Sequence, residues 1–315
     1  MSLILSPAPH IRTKDDTQRL MLNVLIALVP CVIAGIWYFG WQAALVLAVS
    51  TASAVLAEFV WQKLTHKKVR IFDLSAAVTG LLLGLVIPPA SPWWMVMIGA
   101  FFAIIVVKQL FGGIGDNFLN PALTARAVLL ASWPAFMTAG YNVGRFDAVT
   151  GATPLLSSAS TMDLLLGNVT GAIGETCKIA ILIGFIWLLV TGTIRWHIPV
   201  ITVASACLLG WLLGTDPLTT VLTGGLLFGA VFMATDYVTS PMRLPAQIIY
   251  SIGIGVIIVL IRKFGSYPEG VTYAILIMNL TTWALDKLCH RRQFGVSHEE
   301  FIASKRAKKN KEAVS

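Results

Sequence analysis

Apolar residues fall in ten long runs, at 20–39, 42–61, 74–87, 93–110, 122–137, 176–194, 199–214, 218–234, 244–261 and 271–285, with polar intervals between them. A helix needs about 20 apolar residues to cross about 30 Å of hydrocarbon, so the runs predict ten membrane-spanning helices. The third run is short and ends on Pro88-Pro89, which predicts a helix that stops inside the membrane. Five runs lie on each side of a long polar interval at 139–175, and the two sets echo each other. Asp73 precedes Thr79-Gly80 in the third run, as Asp216 precedes Thr223-Gly224 in the eighth. Phe111-Gly112 ahead of Pro121 and Thr124 is matched by Phe264-Gly265 ahead of Pro268 and Thr272. An odd number of helices per half inserts the halves in opposite orientations, as in many transporter folds. The expected fold is an all-α polytopic membrane protein of ten transmembrane helices, arranged as two inverted five-helix repeats.

Composition supports the bilayer as solvent. Hydrophobic residues make up 57% and charged residues 12% of the chain, with a mean hydropathy of +0.79; soluble domains carry about 25% charged residues. A net charge of +8 raises the question of nucleic acid, but the positions answer it. Lysine and arginine gather in the interval 63–70 and in the tail, which is how membrane topology is encoded, and no nucleic-acid partner is expected. The bias puts both termini in the cytoplasm and the 139–175 interval outside. The expected organisation is a cytoplasmic lead at 1–19, a first repeat at 20–138, an outer interval at 139–175, a second repeat at 176–288 and a basic cytoplasmic tail at 289–315. The lead is polar and charged and does not read as a cleaved signal. Four scattered cysteines without a C-x-x-C pair, and five histidines without helical ligand spacing, predict no metal site.

The chemistry-bearing stretch is Asp147-Ala148-Val149-Thr150-Gly151-Ala152-Thr153-Pro154. Gly151 permits a positive φ, Pro154 restricts Thr153, and the small Ala152 leaves the Thr153 hydroxyl uncrowded. An Asp, two variable residues, Ser or Thr and then Gly-Ala-Thr resembles the signal read by flavin transferases, which join the phosphate of FMN to the last threonine. That resemblance implies covalent FMN on Thr153, with Asp147, Thr150, Gly151 and Ala152 read by the transferase during maturation. A phosphoester there turns an idle interval into the seat of a redox group.

With Asn117-Phe118-Leu119-Asn120-Pro121-Ala122-Leu123-Thr124-Ala125-Arg126 beside it, the motif resembles one family over nearly the whole chain. This is the flavin-bearing membrane component shared by the Rnf complex, as its D-type subunit, and the sodium-pumping NADH:quinone oxidoreductase, as its B-type subunit. The short lead favours the Rnf form. The resemblance implies a urea-channel-like inverted repeat in a bacterial inner membrane, FMN on the periplasmic side and a non-covalent riboflavin within the membrane. It also implies iron–sulfur and flavin subunits as partners, and electron transfer between ferredoxin and NAD coupled to Na⁺ or H⁺ movement. The chain has no dinucleotide-binding glycine pattern and no cluster cysteines, so no residue is expected to be catalytic alone. The rival reading is a solute channel or secondary transporter of the same fold with Thr153 unmodified.

Polar groups at membrane depth are costly and tend to be functional. Candidates are Glu58, Asn120, Arg126, Asp216, Asp236, Gln247 and Asn279, several of them near helix ends where capping competes with function. Broken helices near Pro88-Pro89 and Asn120-Pro121 are the expected surroundings of the riboflavin, with Asn120 as a contact. Trp37, Trp41, Trp61, Trp93 and Trp94 flank predicted helix ends as interface anchors do.

Overall fold

The computed structural model describes residues 16–67, 69–139, 161–167, 169, 171–265 and 270–289, and these form helices with no strand among them. In chain order the helices are α1 (Thr17–Phe39), α2 (Trp41–Leu64), a 3-10 turn (Ile71–Asp73), α3 (Ser75–Val86), α4 (Trp93–Phe101), α5 (Pro121–Ser132), α6 (Pro134–Ala139) and α7 (Thr161–Leu166). Then come α8 (Lys178–Val190), α9 (His197–Leu212), α10 (Pro217–Leu222), α11 (Leu226–Phe228), α12 (Leu244–Phe264) and α13 (Val271–Leu288). Two helices relax into π-helix, α4 over Phe102–Gln109 and α11 over Gly229–Met233.

Local chemistry sets the boundaries. Gly40, at φ 69°, ends α1 and starts α2, a conformation that needs no Cβ. Asp73 accepts from both the Ser75 backbone N–H at 3.0 Å and its hydroxyl at 2.8 Å, which starts α3. Asn120 and Asp216 do the same for α5 and α10, each followed by proline at the first helical position. By length and composition α1, α2 and α12 are each able to cross a membrane unaided. At 12 residues α3 covers about 18 Å and stops short, as its proline-ended run predicts.

The ten apolar runs correspond closely to helices, with two differences. The fifth run breaks at Trp133, ahead of Pro134, into α5 and the short α6. The eighth breaks at Thr223–Gly225, where Gly224 takes φ 61°, so its two pieces are α10 and the α11–π segment. Thr79-Gly80, the matching dipeptide of the third run, stays helical instead. There the missing side chain serves packing: a Cβ on Gly80 would stand 2.7 Å from the Ala54 Cβ of α2, and Ser50 Oγ donates to the Gly80 carbonyl at 2.6 Å. Small residues allow such close approach where hydrophobic burial between helices drives little.

Helix α1 runs antiparallel to α8, with Asn23 Nδ2 donating to Thr193 Oγ1 at 3.3 Å at one end and Gly35 against Ile173 at the other. Near the centre α5 and α13 also cross antiparallel. Asn120 at the start of α5 lies by Asn279 halfway along α13, whereas Arg126, six residues on, reaches Thr272 at the start of α13. The segment 171–177, which the sequence divides between the outer interval and the sixth run, is no surface loop. Residues 172–176 are buried between the end of α3, the break in the eighth run and α8.

Candidate functional site

Asp147, Thr150, Gly151, Ala152 and Thr153 lie outside the described residues. The structure speaks to the rest of the candidate chemistry, part of which gathers in two buried polar clusters at opposite ends of α3.

The first lies where α3 begins. Lys108, on the π-helical continuation of α4, places its amine 2.9 and 3.0 Å from the two Glu58 carboxylate oxygens and 2.5 Å from Ser75 Oγ. Gln109 donates to the same carboxylate at 2.6 Å and Gln62 at 3.2 Å; Gln62 in turn accepts the Arg70 N–H at 2.8 Å. Side-chain exposure of 5% for Lys108 and 1% for Glu58 leaves this pair almost dry. A π-turn rotates the side chains that follow it relative to a regular helix, which is how adjacent Lys108 and Gln109 both reach Glu58. Beside the pair a cavity of about 100 Å³ runs between α1, α3, α8 and the α11 segment, lined by Ser75, Thr79, Asn117, Asn120, Thr235 and Asp236 among apolar walls. At about 10–15 Å³ per water it has room for several waters.

Asn120 has a structural task in full view. Its Oδ1 accepts from the Ala122 and Leu123 N–H groups at 3.1 and 3.2 Å, and its Nδ2 donates to the Met233 carbonyl at 3.4 Å. It therefore caps α5 and ties it to the π segment of α11, and one amide hydrogen remains for a ligand. Apolar walls with a few placed polar groups match a flavin ring in character, although a ring needs this cavity to widen. Pro88-Pro89 is not nearby. It follows the far end of α3, whereas Asn120 shares the cavity with Ser75 at the near end, so the two expected flavin-flanking breaks stand about one α3 length, about 18 Å, apart.

The second cluster lies at the other end. Arg126 Nη1 is 3.2 Å from Glu175 Oε1 and 3.2 Å from Thr272 Oγ1, with side-chain exposures of 4% and 6% for the ion pair. The Lys178 amine donates to the carbonyls of Glu175 and of Gly224, the latter at 3.0 Å. Arg262 donates to the Thr220 and Thr223 carbonyls at 2.8 and 3.0 Å, which satisfies the end of α10.

The other candidates are dispersed. Asp216 is the N-cap of α10 and is exposed. Asp236 sits in the connection from the α11 segment to α12, where its carboxylate accepts from Val238 N–H and Thr239 Oγ1; burial pushes its acidity constant above the usual carboxylate range against those two bonds. Gln247 donates to the Pro241 carbonyl, and the Asn279 amide donates to the Tyr250 hydroxyl while its oxygen accepts the Asn120 N–H. Sequence reasoning missed Lys108, Ser75, Glu175, Lys178 and Thr272. Lys108 carried a signal, a lone cation late in an apolar run; Glu175 was hidden because its neighbours are small and polar.

The comparisons with known proteins agree with one another. The model of the NQR2, RnfD, RnfE family matches residues 4–295. The chain is 44% identical over 307 residues to the D-type subunit of the Na(+)-translocating ferredoxin:NAD(+) oxidoreductase complex of Acetobacterium woodii, covering 94% of this chain and 96% of that one. It is 39% identical over 316 residues to the D-type subunit of the proton-translocating ferredoxin:NAD(+) oxidoreductase complex of Clostridium ljungdahlii, at 92% and 96% coverage. With the D-type subunit of the ion-translocating oxidoreductase complex of Escherichia coli K12 it shares 34% identity over 344 residues, at 92% and 98% coverage. Matched over nearly its whole length, the chain belongs to the NQR2, RnfD, RnfE family.

Proposed function

We propose that this chain is the D-type, flavin-carrying membrane subunit of an Rnf-type ion-translocating oxidoreductase, with FMN joined through its phosphate to Thr153. One observation carries the reading. The complete Asp147, Thr150, Gly151, Ala152, Thr153 signal falls in the longest polar interval of a chain whose relatives, named as the D-type subunits of such complexes, align over more than nine-tenths of its length.

The geometry supports the accompanying fold, two inverted five-helix repeats. Equivalent helices of an inverted pair run antiparallel, and α5 and α13, from the fifth run of each half, cross that way through Asn120 with Asn279 and Arg126 with Thr272. Both third runs are also interrupted, one by ending at Val86 and one at Thr223–Gly225. With the basic intervals facing the cytoplasm of a bacterial inner membrane, the Thr153 interval faces outward, and the cavity beside Asn120 opens at the inner end. That cavity is the proposed neighbourhood of a non-covalent riboflavin.

Bound flavins supply one-electron steps between carriers on the two sides of a layer too thick for one efficient hop. The chain's own residues do the holding. Thr153 attaches the ring, Asn120 offers an amide hydrogen at the cavity, and the Lys108–Glu58 pair fixes the α3 entrance. Electrons reach and leave through other subunits of the complex, and either Na⁺ or H⁺ is moved.

In-gel flavin fluorescence after denaturation tests the reading, with mass spectrometry of the peptide spanning 147–154. Chain made alongside an active flavin transferase gives a fluorescent band and a peptide heavier by FMN, and Thr153→Ala gives neither. A dark band and an unmodified peptide from the parent chain refute it and leave a channel or secondary transporter.

A further inference from the structure

The cavity that opens beside Asn120 follows α3 as far as Leu82 and the eighth span as far as Phe232. One turn further along each, Leu85 and Phe228 are fully buried. Both close on Gly174, where an added Cβ would stand 2.8 Å from the Leu85 Cβ and 3.1 Å from the Phe228 ring. What separates the blind end of the cavity from the opposite face is thus a short non-helical strap, 171–177. Irregular backbone at membrane depth is tolerated where it is buried in protein, as residues 172–176 of this strap are.

The polar ties of the strap run to interrupted backbone and to one buried charge pair. The Gly174 N–H donates to the Leu85 carbonyl at 2.7 Å and the Ile173 N–H to the Ile87 carbonyl at 3.4 Å, using acceptors freed where α3 stops. Glu175 pairs with Arg126 at 3.2 Å, and Lys178 holds the Glu175 carbonyl together with that of Gly224. Against these, Thr176 is 2% exposed and its hydroxyl lies buried with no hydrogen-bond partner among the described residues. Burying an unmatched hydroxyl opposes docking. A non-helical segment anchored through a buried charge pair, a lysine and backbone bonds, and opposed by an orphaned hydroxyl, is joined to its neighbours by contacts that can break without unwinding a helix.

We propose that the 171–177 strap is a releasable stopper, latched by Arg126–Glu175, that closes the cavity between α3 and the eighth span toward the outer face. The stopper takes its outward assignment from the orientation proposed above and nothing from the flavin, so the two readings fail separately.

The test uses the full chain in oriented proteoliposomes, with Thr176→Cys in a background whose four native cysteines are replaced by serine. The readouts are the rate at which a membrane-impermeant maleimide added from the Thr153 side modifies that position, and passive Na⁺ and H⁺ leak without redox substrates. Glu175→Gln keeps the size of the side chain and removes its charge. Losing one partner of a buried pair shifts the held-to-released balance by about a hundred-fold or more, and the labelling rate rises by that factor together with the leak. Gly174→Ala moves both readouts in the same direction through contact with Leu85, without touching any charge. Variants that elute and retain helical content like the parent, with labelling and leak unchanged, overturn the proposal.

Hydrogen exchange on the unsubstituted chain gives a reading that depends on no variant. The Ile173 and Gly174 amides exchange faster than those of Leu83 and Leu85 in α3 if the strap opens alone, and equal protection overturns the stopper. A leak that rises in chain whose Thr153 is bare upholds the stopper while removing the flavin assignment.

Discussion

Removing the Lys108 amine by Lys108→Met is expected to be the most damaging single substitution in the inner half of the molecule. The amine stands 2.9 Å from Glu58 Oε1 and is 5% exposed, against 1% for its partner. At an effective dielectric constant of about 20 the Coulomb attraction at that distance is about 6 kcal/mol, most of it offset by the cost of drying two ions. Deleting one partner does not return that cost. It leaves Glu58 buried with only the Gln109 and Gln62 amides, which do not neutralise it, and such deletions cost about 3–5 kcal/mol. Glu58→Gln alone strands the ammonium instead, leaving it the neutral acceptors of Ser75 Oγ and the new amide oxygen. The double variant removes both ions and is expected to recover most of the loss, because an uncharged pair owes no desolvation. Thermal unfolding in detergent is the assay, read as a double-mutant cycle on the four proteins. A single variant no less stable than the parent, or a double variant less stable than both singles, would refute the reasoning.

Three further outcomes are expected. Gly80→Ala pushes a Cβ to 2.7 Å from the Ala54 Cβ and 2.8 Å from the Ser50 carbonyl, and is expected to lower stability by about 1–3 kcal/mol in the same assay. Asn120→Ala removes the α5 cap for about 1 kcal/mol, while Asn120→Asp keeps an accepting oxygen and most of the stability; equal losses from both would show that the cap is not the reason. Asp236 has an acidity constant raised by burial, so its ionisation opposes folding: the penalty is absent below its unfolded value and grows as pH rises through the folded one. Asp236→Asn is therefore expected to flatten the gain in unfolding temperature on acidification, and an unchanged pH profile would count against it.

The sequence laid out the helices because hydrocarbon leaves a chain little choice. A run of apolar residues at bilayer depth must satisfy its own backbone, and the boundaries then follow from caps such as Gly40, Asp73, Asn120-Pro121 and Asp216-Pro217. Breaks were legible only where they carried proline. Pro88-Pro89 announced the end of α3, whereas Thr223-Gly224-Gly225 reads as a flexible patch in a helix and needs tertiary contacts to become a break. The polar candidates divide the same way. Arg126, alone in an apolar run, announced a buried partner but could not name Glu175, 49 residues away in an interval that looks solvated. The attachment proposed at Thr153 rests on a local string of residues and needs no tertiary information at all.

The buried cations obey a rule that joins these halves of the reading. Wherever a span is interrupted, carbonyls lose their i+4 donors, and in hydrocarbon no water replaces them. At the end of α10 Arg262 supplies the missing donors to Thr220 and Thr223, and Lys178 supplies one to Gly224 across the same break. The Met233 carbonyl, at the close of the π segment, takes its donor from the Asn120 amide. At these breaks a donor side chain from one run marks an interrupted helix elsewhere in the bundle. The cations differ in what they donate to. Arg262 and Lys178 donate to broken backbone, whereas Lys108 and Arg126 donate to carboxylates, and a carboxylate partner gives a charge pair that a moving cation can disturb. Substituting Arg262 should therefore act through the stability of α10, and substituting Arg126 through the strap that Glu175 holds in place.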